Sequence, residues 1–259
     1  MTPNDPNQDA TVENPLVENE EELSPEESFG EMIRSLDPVF QVDSLAANTL
    51  AEMGLGEASA TPCEDGDMQR LDFSVLHFVL IPEKATWLDF MLEADRASIG
   101  KIFEMFSGIS EAADEDLEDM LRETMNLIHG SLKSAFKSQG IDVIIPVVPQ
   151  SVASNLLSHV AGGVSVQSRH LLKVGDISLR MTMIARPSPL VRKKLADIGV
   201  ANVLAEALKP DDNDEIVLIN RGTMINSKLL RKVHDLAEYD SEGRKAAVFE
   251  PSPLARLVK

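Results

Sequence analysis

Cysteine and aromatic residues are scarce in this chain of 259 residues. Cys63 is the only cysteine, which excludes an intramolecular disulfide and a metal cage built from the cysteines of one chain. Aromatic residues make up 4% of the sequence, so the core must consist mainly of Leu, Ile, Val, Met and Ala. The five histidines show no metal-ligand spacing, and we expect no metal site.

Long apolar runs and positive charge are also lacking. No apolar run approaches the ~18 residues needed to span a bilayer, and no basic-then-apolar secretion signal opens the chain. Lys and Arg total 24 against 43 Asp and Glu, a net charge of −19, which disfavours nucleic acid and anionic membranes as partners. The sequence therefore predicts a cytoplasmic protein that binds neither of these and favours a cationic or mixed-charge partner surface.

The acidic residues are concentrated at the N-terminus. Residues 1 to about 31 contain ten Asp and Glu and no Lys or Arg. Such a segment buries too little apolar surface to offset the entropy lost on ordering, and we expect residues 1–34 to form a disordered acidic tail. A short helix capped by Ser24, with Glu27 reaching back to the cap, is the alternative.

The rest of the chain has the mixture of helical and alternating patterns that is typical of an α+β fold. Residues 35–188 predict a helix from Asp37-Pro38 to Gly54, strands over 72–81 and 86–93 joined at Pro82-Glu83-Lys84, helices over 97–106 and 112–138, a strand-like run over 141–148, and strands over 164–174 and 177–186. Residues 189–259 predict a helix over 189–209, a strand over 215–220, a helix over 227–237 and a loosely attached tail over 245–259. This last part is either an extension of the first domain or a small second domain.

The long helix carries a polar stripe of unusual composition. At about 100° per residue from Asp119, Glu123 lies near 40°, Asn126 near 340° and Gly130 near 20°. The opposite side of the helix is mostly apolar: Leu117, Leu121, Thr124, Ile128, Leu132 and Ala135. One face is therefore expected in the core, while the other presents a carboxylate and an amide beside the low surface at Gly130. His129, a conceivable base, lies near 280°, off the stripe.

The spacing Asp119-x3-Glu123-x2-Asn126-x22-Pro149 resembles the signature of the CheC/CheX family of chemotaxis phosphatases, Asp/Ser-x3-Glu-x2-Asn-x22-Pro, at every position. A single copy of the motif resembles the CheX-like branch, since proteins of the CheC type carry two. The resemblance implies helices packed on an extended antiparallel sheet over residues 35–188. Residues 189–259 lie outside it and are expected to form an additional α/β extension.

The resemblance also implies a function, dephosphorylation of the aspartyl phosphate of a CheY-like receiver domain in chemotaxis or two-component signalling. Asn126 would place the attacking water in line, and Glu123 would contact the receiver's active-site Lys. Asp119 and Gly130 would contact the partner, and Pro149 would shape the chain near the site. The chain needs no cofactor of its own, since the receiver would supply Mg²⁺, and a homodimer formed through the sheet is implied as well.

Two other hypotheses remain open from the sequence. The chain could be a non-catalytic binding or adaptor module related to CheC or to the flagellar switch. It could also be an unrelated α+β domain in which the motif occurs by chance. The intact pair Glu123 and Asn126 favours the phosphatase, because a site that had lost its catalytic activity would have no reason to keep both residues.

Overall fold

The computed structural model describes residues 25–36, 41–63, 71–153, 166–209, 215–238 and 243–256. Its helices are α1 (Pro25–Arg34), α2 (Val42–Leu50), α3 (Arg96–Ser107), α4 (Asp114–Ser138) and α5 (Ser227–Glu238). Its strands are β1 (Ala58–Pro62), β2 (Phe73–Ile81), β3 (Thr86–Ala94), β4 (Gln150–Ser151), β5 (Val166–Val174), β6 (Ile177–Pro187), β7 (Leu190–Lys194), β8 (Val203–Leu204) and β9 (Lys245–Phe249).

A six-stranded antiparallel sheet in the order β1-β5-β6-β3-β2-β4 forms the body of the fold. Helices α1 to α4 contribute side chains to a core on one of its faces. The predicted α+β class, with helices packed on an extended antiparallel sheet, is thus confirmed. The predicted hairpins β2–β3 and β5–β6 and the predicted helices α3, α4 and α5 are present as well.

Strand β2 lies inside the sheet, and all nine of its residues are buried, as are all nine of β3. Successive side chains of a strand point to opposite faces. Val75 and Val79 therefore enter the core beneath the helices, while Leu76 and Phe78 enter a second core on the outer face. The run of apolar residues in β2 is explained by this burial on both sides.

Residues beyond Pro189 form a three-stranded antiparallel sheet in the order β7-β9-β8, together with α5 and a core of their own. The helix predicted over 189–209 is wrong, because Leu190–Lys194 alternate between exposed and half-buried positions and pair with β9. The loosely attached tail is wrong too, since Lys245–Phe249 is the central strand of this sheet. The extension is α+β rather than α/β, because its strands are antiparallel.

This C-terminal part also packs on the outer face of the large sheet. Phe249 and Leu254 share a core with the outer side chains of β2 and β3. The indole Nε1 of Trp87 donates a hydrogen bond to the carbonyl of Glu250 at 2.7 Å. The extension therefore has its own core and is also fastened to the first domain.

A buried polar contact secures the same junction. The Ser252 hydroxyl donates to Oδ2 of Asp89 at 2.5 Å, and the Nε of Arg186 lies 3.7 Å from that oxygen. Burial raises the pKa of Asp89 to about 7, against the opposing effects of the Ser252 hydrogen bond and the Arg186 charge. The contact joins the middle of β3 to the segment that follows β9.

Two predicted strands are largely absent. In the run 141–148 only Ile144 makes a bridge, to Leu80, because Pro146 has no N–H to continue the ladder. Pairing with β2 resumes after Pro149, at Gln150 and Ser151. In the run 215–220, Ile219 makes the one isolated bridge, to Leu208.

Part of the predicted N-terminal tail is wrong, because residues 25–34 form helix α1, while the prediction for residues 1–24 lies outside the described residues. Ile33 is fully buried in the main core, with Phe29 and Met32 packed against it. The acidic composition of the segment concealed this small apolar face at helical spacing. Ser24 and the expected helix start at Asp37-Pro38 lie outside the described residues. Helix α2 continues beyond Leu50 as a π-helical turn over Ala51–Leu55, and Gly54, with φ of 82°, departs from helical geometry within that turn, close to the predicted end.

Replacing Ile33 by Ala should lower the free energy of unfolding by about 2–4 kcal/mol, because buried methyl groups are removed from a packed core. Urea denaturation followed by circular dichroism measures the change. Glu31→Ala, at an exposed position of the same helix, is the matched control and should change it by less than about 0.5 kcal/mol. Equal, small effects of the two substitutions would show that α1 does not pack in the core.

Candidate functional site

Helix α4 is the platform of the candidate site. Three acidic residues occupy its first turn and Lys137 its last, the arrangement that the helix dipole favours. Its buried face consists of Leu117, Leu121, Thr124, Met125, Ile128, His129, Leu132 and Phe136. Asp119, Glu123, Asn126 and Gly130 are all exposed, so the two faces read from the sequence are confirmed.

The four motif residues come together in space. Asp119, Glu123, Asn126 and Pro149 all line one open groove of about 490 Å³. The first three come from α4, and Pro149 arrives from residues 141–149, a segment we call the strap. The 22 residues between Asn126 and Pro149 thus complete α4 and return the chain along its side.

Glu123 and Asn126 touch each other where they line the groove. The amide Nδ2 of Asn126 donates a hydrogen bond to Oε2 of Glu123 at 3.3 Å. The amide nitrogen therefore faces the carboxylate, and the carbonyl Oδ1 is left to accept a hydrogen bond from a water or a ligand. The two predicted catalytic side chains form a pre-oriented pair.

Asp119 has a partner on its own helix. Its carboxylate forms an ion pair with the guanidinium of Arg122, three residues later. Both side chains are largely in water, with 68% and 42% of their surface exposed, so the pair adds little stability. It holds the Asp119 carboxylate along the helix.

The groove is electrically negative. Asp116, Asp119 and Glu123 contribute three carboxylates to its lining, against the single guanidinium of Arg122. Among the residues that the structure describes, no group of three or more His, Cys, Asp or Glu is placed to hold a metal ion. The groove therefore suits a cationic side chain from a partner.

Gly130 does not serve close packing against any of the residues that the structure describes. A Cβ atom added there would meet nothing within 4 Å. A mid-helix glycine costs stability relative to alanine, and no neighbouring side chain of this structure requires it. The low surface beside Asn126 is therefore open to solvent.

A buried histidine pair, which was not predicted from the sequence, lies beside the motif. Nδ1 of His77, in β2, and Nδ1 of His129, in α4, are hydrogen bonded. Burial lowers the pKa of His77 to about 4, and burial together with the charge of His77 holds the pKa of His129 well below its usual value. His129 lies off the polar stripe, as the helical wheel predicted. The sign of the pair in the sequence was His77, a histidine within the apolar run of β2.

A second groove, of about 400 Å³, lies next to the first. Asn126 and Val148 line both grooves, while His77, His129 and Gly130 line only the second. Asn126 and Val148 thus form a ridge between the two.

None of the helices in the described ranges is long and apolar enough to cross a membrane.

Comparisons with known proteins give fold relatives only. No protein-family model and no curated protein matches the chain. Among solved structures, it is similar to a chemotactic CheC-like protein from Shewanella oneidensis, at 13% identity over 59% of this chain and 99% of that one, with a TM-score of 0.48. It is also similar to CheX from Vibrio vulnificus, at 16% identity over 57% and 96%, with a TM-score of 0.45.

A third similar structure is CheX in a complex with CheY, BeF3 and Mg²⁺ from Borrelia burgdorferi, at 15% identity over 58% and 99% of the two chains, with a TM-score of 0.46. These three similar structures are CheX and CheC-like chemotaxis proteins, the family that the four-position spacing indicated. The likeness is one of fold.

Replacing Gly130 by Ala should raise the free energy of unfolding by about 0.5–1 kcal/mol, because the methyl group has room and alanine favours the helix. Gly100→Ala in α3, where an added Cβ also meets nothing within 4 Å, is the matched control and should give a similar gain. Thermal and urea denaturation measure both. A loss of stability confined to Gly130→Ala would mean that the glycine serves packing.

Proposed function

We propose that this protein hydrolyses the aspartyl phosphate of a CheY-like receiver domain that docks on the exposed face of α4. The observation that carries the proposal is the pair Glu123 and Asn126, exposed and in contact on a rigid helix, with Pro149 lining the same groove. The partner supplies the phosphoryl group. This chain supplies the groups that orient water and hold the complex in register.

Asn126 is suited to positioning a water. Hydrolysis of an aspartyl phosphate needs a water in line with the departing oxygen, and most of the gain in phosphoryl transfer comes from positioning and charge stabilisation. With its Nδ2 directed to Glu123, Asn126 offers Oδ1 to a hydrogen atom of that water. An amide does not titrate near neutral pH, so this contact is available throughout the physiological range.

Glu123 is suited to docking. Its carboxylate is exposed and already accepts one hydrogen bond from Asn126, and it has further lone pairs for a cation of the receiver. A charge-assisted contact to a partner Lys would fix the register between the two proteins. Because Glu123 also holds the Asn126 amide, docking and water positioning would be coupled through one carboxylate.

The charge of the groove favours a receiver over a free phosphate ester. Three carboxylates line it, and its one guanidinium is engaged by Asp119. A phosphoryl anion alone would be repelled by this surface. A receiver domain brings cations of its own, a Lys and the bound Mg²⁺, and these would offset the repulsion.

Apolar side chains beside the groove supply a docking surface. Val148, on the ridge next to Asn126, is 67% exposed, and Phe106, one turn beyond the groove-lining Phe103, is 51% exposed. Exposed apolar groups of this size near a polar site are typical of protein contacts. The similarity to a CheX bound to CheY makes a CheY-like receiver the first partner to test.

A non-catalytic adaptor is the second candidate, since it would use the same exposed face without turnover. The two differ in one measurement, the rate of phosphate release from a phosphorylated receiver with and without this protein. Binding of the receiver without faster phosphate release would assign the chain to the adaptor class.

A homodimer stays a prediction of the resemblance. A dimer formed through the outer face of the large sheet would have to displace the C-terminal part that covers this face.

Asn126→Ala should lower the rate of receiver dephosphorylation by about 100-fold or more, because it removes the group that positions the water. Circular dichroism should show an unchanged fold, and the affinity for a receiver carrying a phosphoryl mimic should change little. Asn48→Ala, at an exposed helical asparagine of α2, is the matched control. A folded Asn126→Ala protein with the parent's rate would end the catalytic assignment.

Glu123→Lys should abolish docking of the receiver, because two cations would then face each other and like-charge contacts cost several kcal/mol. Glu123→Gln should weaken docking without abolishing it. Titration of a receiver carrying a phosphoryl mimic, at low and moderate salt, measures both. Glu52→Lys, an exposed charge reversal away from the groove, controls for net charge, and parent-like binding by Glu123→Lys would show that the partner docks elsewhere.

A further inference from the structure

The strap has few backbone contacts where it passes the motif. The N–H and C=O of Ile144 pair with Leu80 of β2 at 2.8 and 2.9 Å, and pairing with β2 resumes at Gln150. Between these points lie Pro146 and Pro149, which have no N–H to donate. The stretch that carries Val148 and Pro149 to the groove therefore depends on side chains to hold it.

His77 supplies such a contact. Its Nε2 lies 2.7 Å from the carbonyl oxygen of Val147. His77 sits in the middle of β2 and is 2% exposed, so its ring is held by the sheet. It thus ties the strap to β2 at the residue before Val148.

The same ring is bonded to the motif helix. Nδ1 of His77 meets Nδ1 of His129, which lies one helical turn beyond Asn126 and is also 2% exposed. The two ring centroids are 4.2 Å apart, and Phe90 packs edge-on against His129 at 4.7 Å. The chain of contacts runs from the strap through His77 and His129 to α4.

The hydrogen-bond partners of the two rings determine which ring nitrogen carries the proton in each. The carbonyl of Val147 only accepts, so Nε2 of His77 must carry a proton and donate. In neutral His77, Nδ1 is then an acceptor, and Nδ1 of His129 must be the donor. Burial keeps both rings neutral at pH 7, since the pKa values of His77 and His129 are lowered.

We infer that His77 and His129 are positioning residues, which tie the strap to α4 and so hold Val148 and Pro149 at a fixed place beside Asn126. Both histidines line the second groove, together with Asn126 and Val148. The effect on catalysis rests on the proposed function of Glu123 and Asn126, whereas the anchoring of the strap does not. Of the residues that line this groove, Lys133 is the only other titratable one.

The tautomers give a direct test on the intact protein. Long-range ¹H–¹⁵N correlation spectra at pH 7.5 should show His77 protonated at Nε2 and His129 protonated at Nδ1. His234, whose Nε2 lies 3.2 Å from the carbonyl of Ile198, serves as an internal reference for a histidine bonded to a backbone carbonyl. A His77 protonated only at Nδ1, or two rings protonated on both nitrogens, would overturn the inference.

Two substitutions at His77 test the anchoring itself. His77→Leu removes the donor to Val147, whereas His77→Gln keeps an amide N–H near the position of Nε2. Amide hydrogen exchange over residues 141–152 should become about tenfold faster in His77→Leu and stay within about threefold of the parent in His77→Gln. His234→Leu, which removes a similar contact between α5 and the carbonyl of Ile198 and touches no strap residue directly, should leave exchange in these residues unchanged.

Receiver dephosphorylation is then measured in the same proteins. In an active parent, turnover should fall about tenfold in His77→Leu and recover in His77→Gln, which a general loss of stability would not produce. If hydrogen exchange in the strap is faster in His77→Leu than in the parent, but the parent does not dephosphorylate the receiver, the proposed function is refuted and the anchoring is supported. Equal exchange in the parent, His77→Leu and His77→Gln would overturn the inference, and if His77→Leu does not fold, the tautomers and His77→Gln decide it.

Discussion

The packing of one face of α4 on the six-stranded sheet is the contact on which the rest of the structure depends. Fully burying a side chain the size of Leu, Ile or Phe contributes roughly 1.5–3 kcal/mol, and α4 buries six of that kind: Leu117, Leu121, Met125, Ile128, Leu132 and Phe136. A packed interior allows little rotation of the helix. Glu123 and Asn126 are therefore presented on a surface whose direction is set by the core beneath it.

The strap is the second requirement, and the C-terminal part of the chain supports it from behind. A Cβ on Gly222 would lie 3.2 Å from Cγ2 of Ile144, and the side chains of Arg221 and Asp142 lie 3.7 Å apart. The strap thus passes between the C-terminal part on one side and β2 and α4 on the other. The extension, which the resemblance left unexplained, contributes to the shape of the groove without lining it.

The chemistry proposed for the groove is divided between two proteins. This chain offers a neutral amide and an acidic surface, and neither can stabilise a phosphoryl anion alone. The cations that phosphoryl transfer needs must come from the partner. This division explains why a groove lined by three carboxylates, without a metal-binding cluster among the described residues, can still be read as a phosphatase site.

Local patterns determined much of this protein. The 3.6-residue period of α4, the two hairpins and the spacing of Asp119, Glu123, Asn126 and Pro149 all follow from residues that are near in sequence or joined by a tight turn. Four features depended on tertiary contacts: the burial of Ile33, the pairing of β7 with β9, the irregular strap and the bond between His77 and His129. Each depends on contacts between segments far apart in the chain. The apolar spacing around Ile33 and the proline in the strap are visible in the sequence, but a local pattern does not specify what these residues pack against. The sequence alone could thus identify the motif helix and its polar stripe, whereas only long-range packing decided what holds Pro149 beside it.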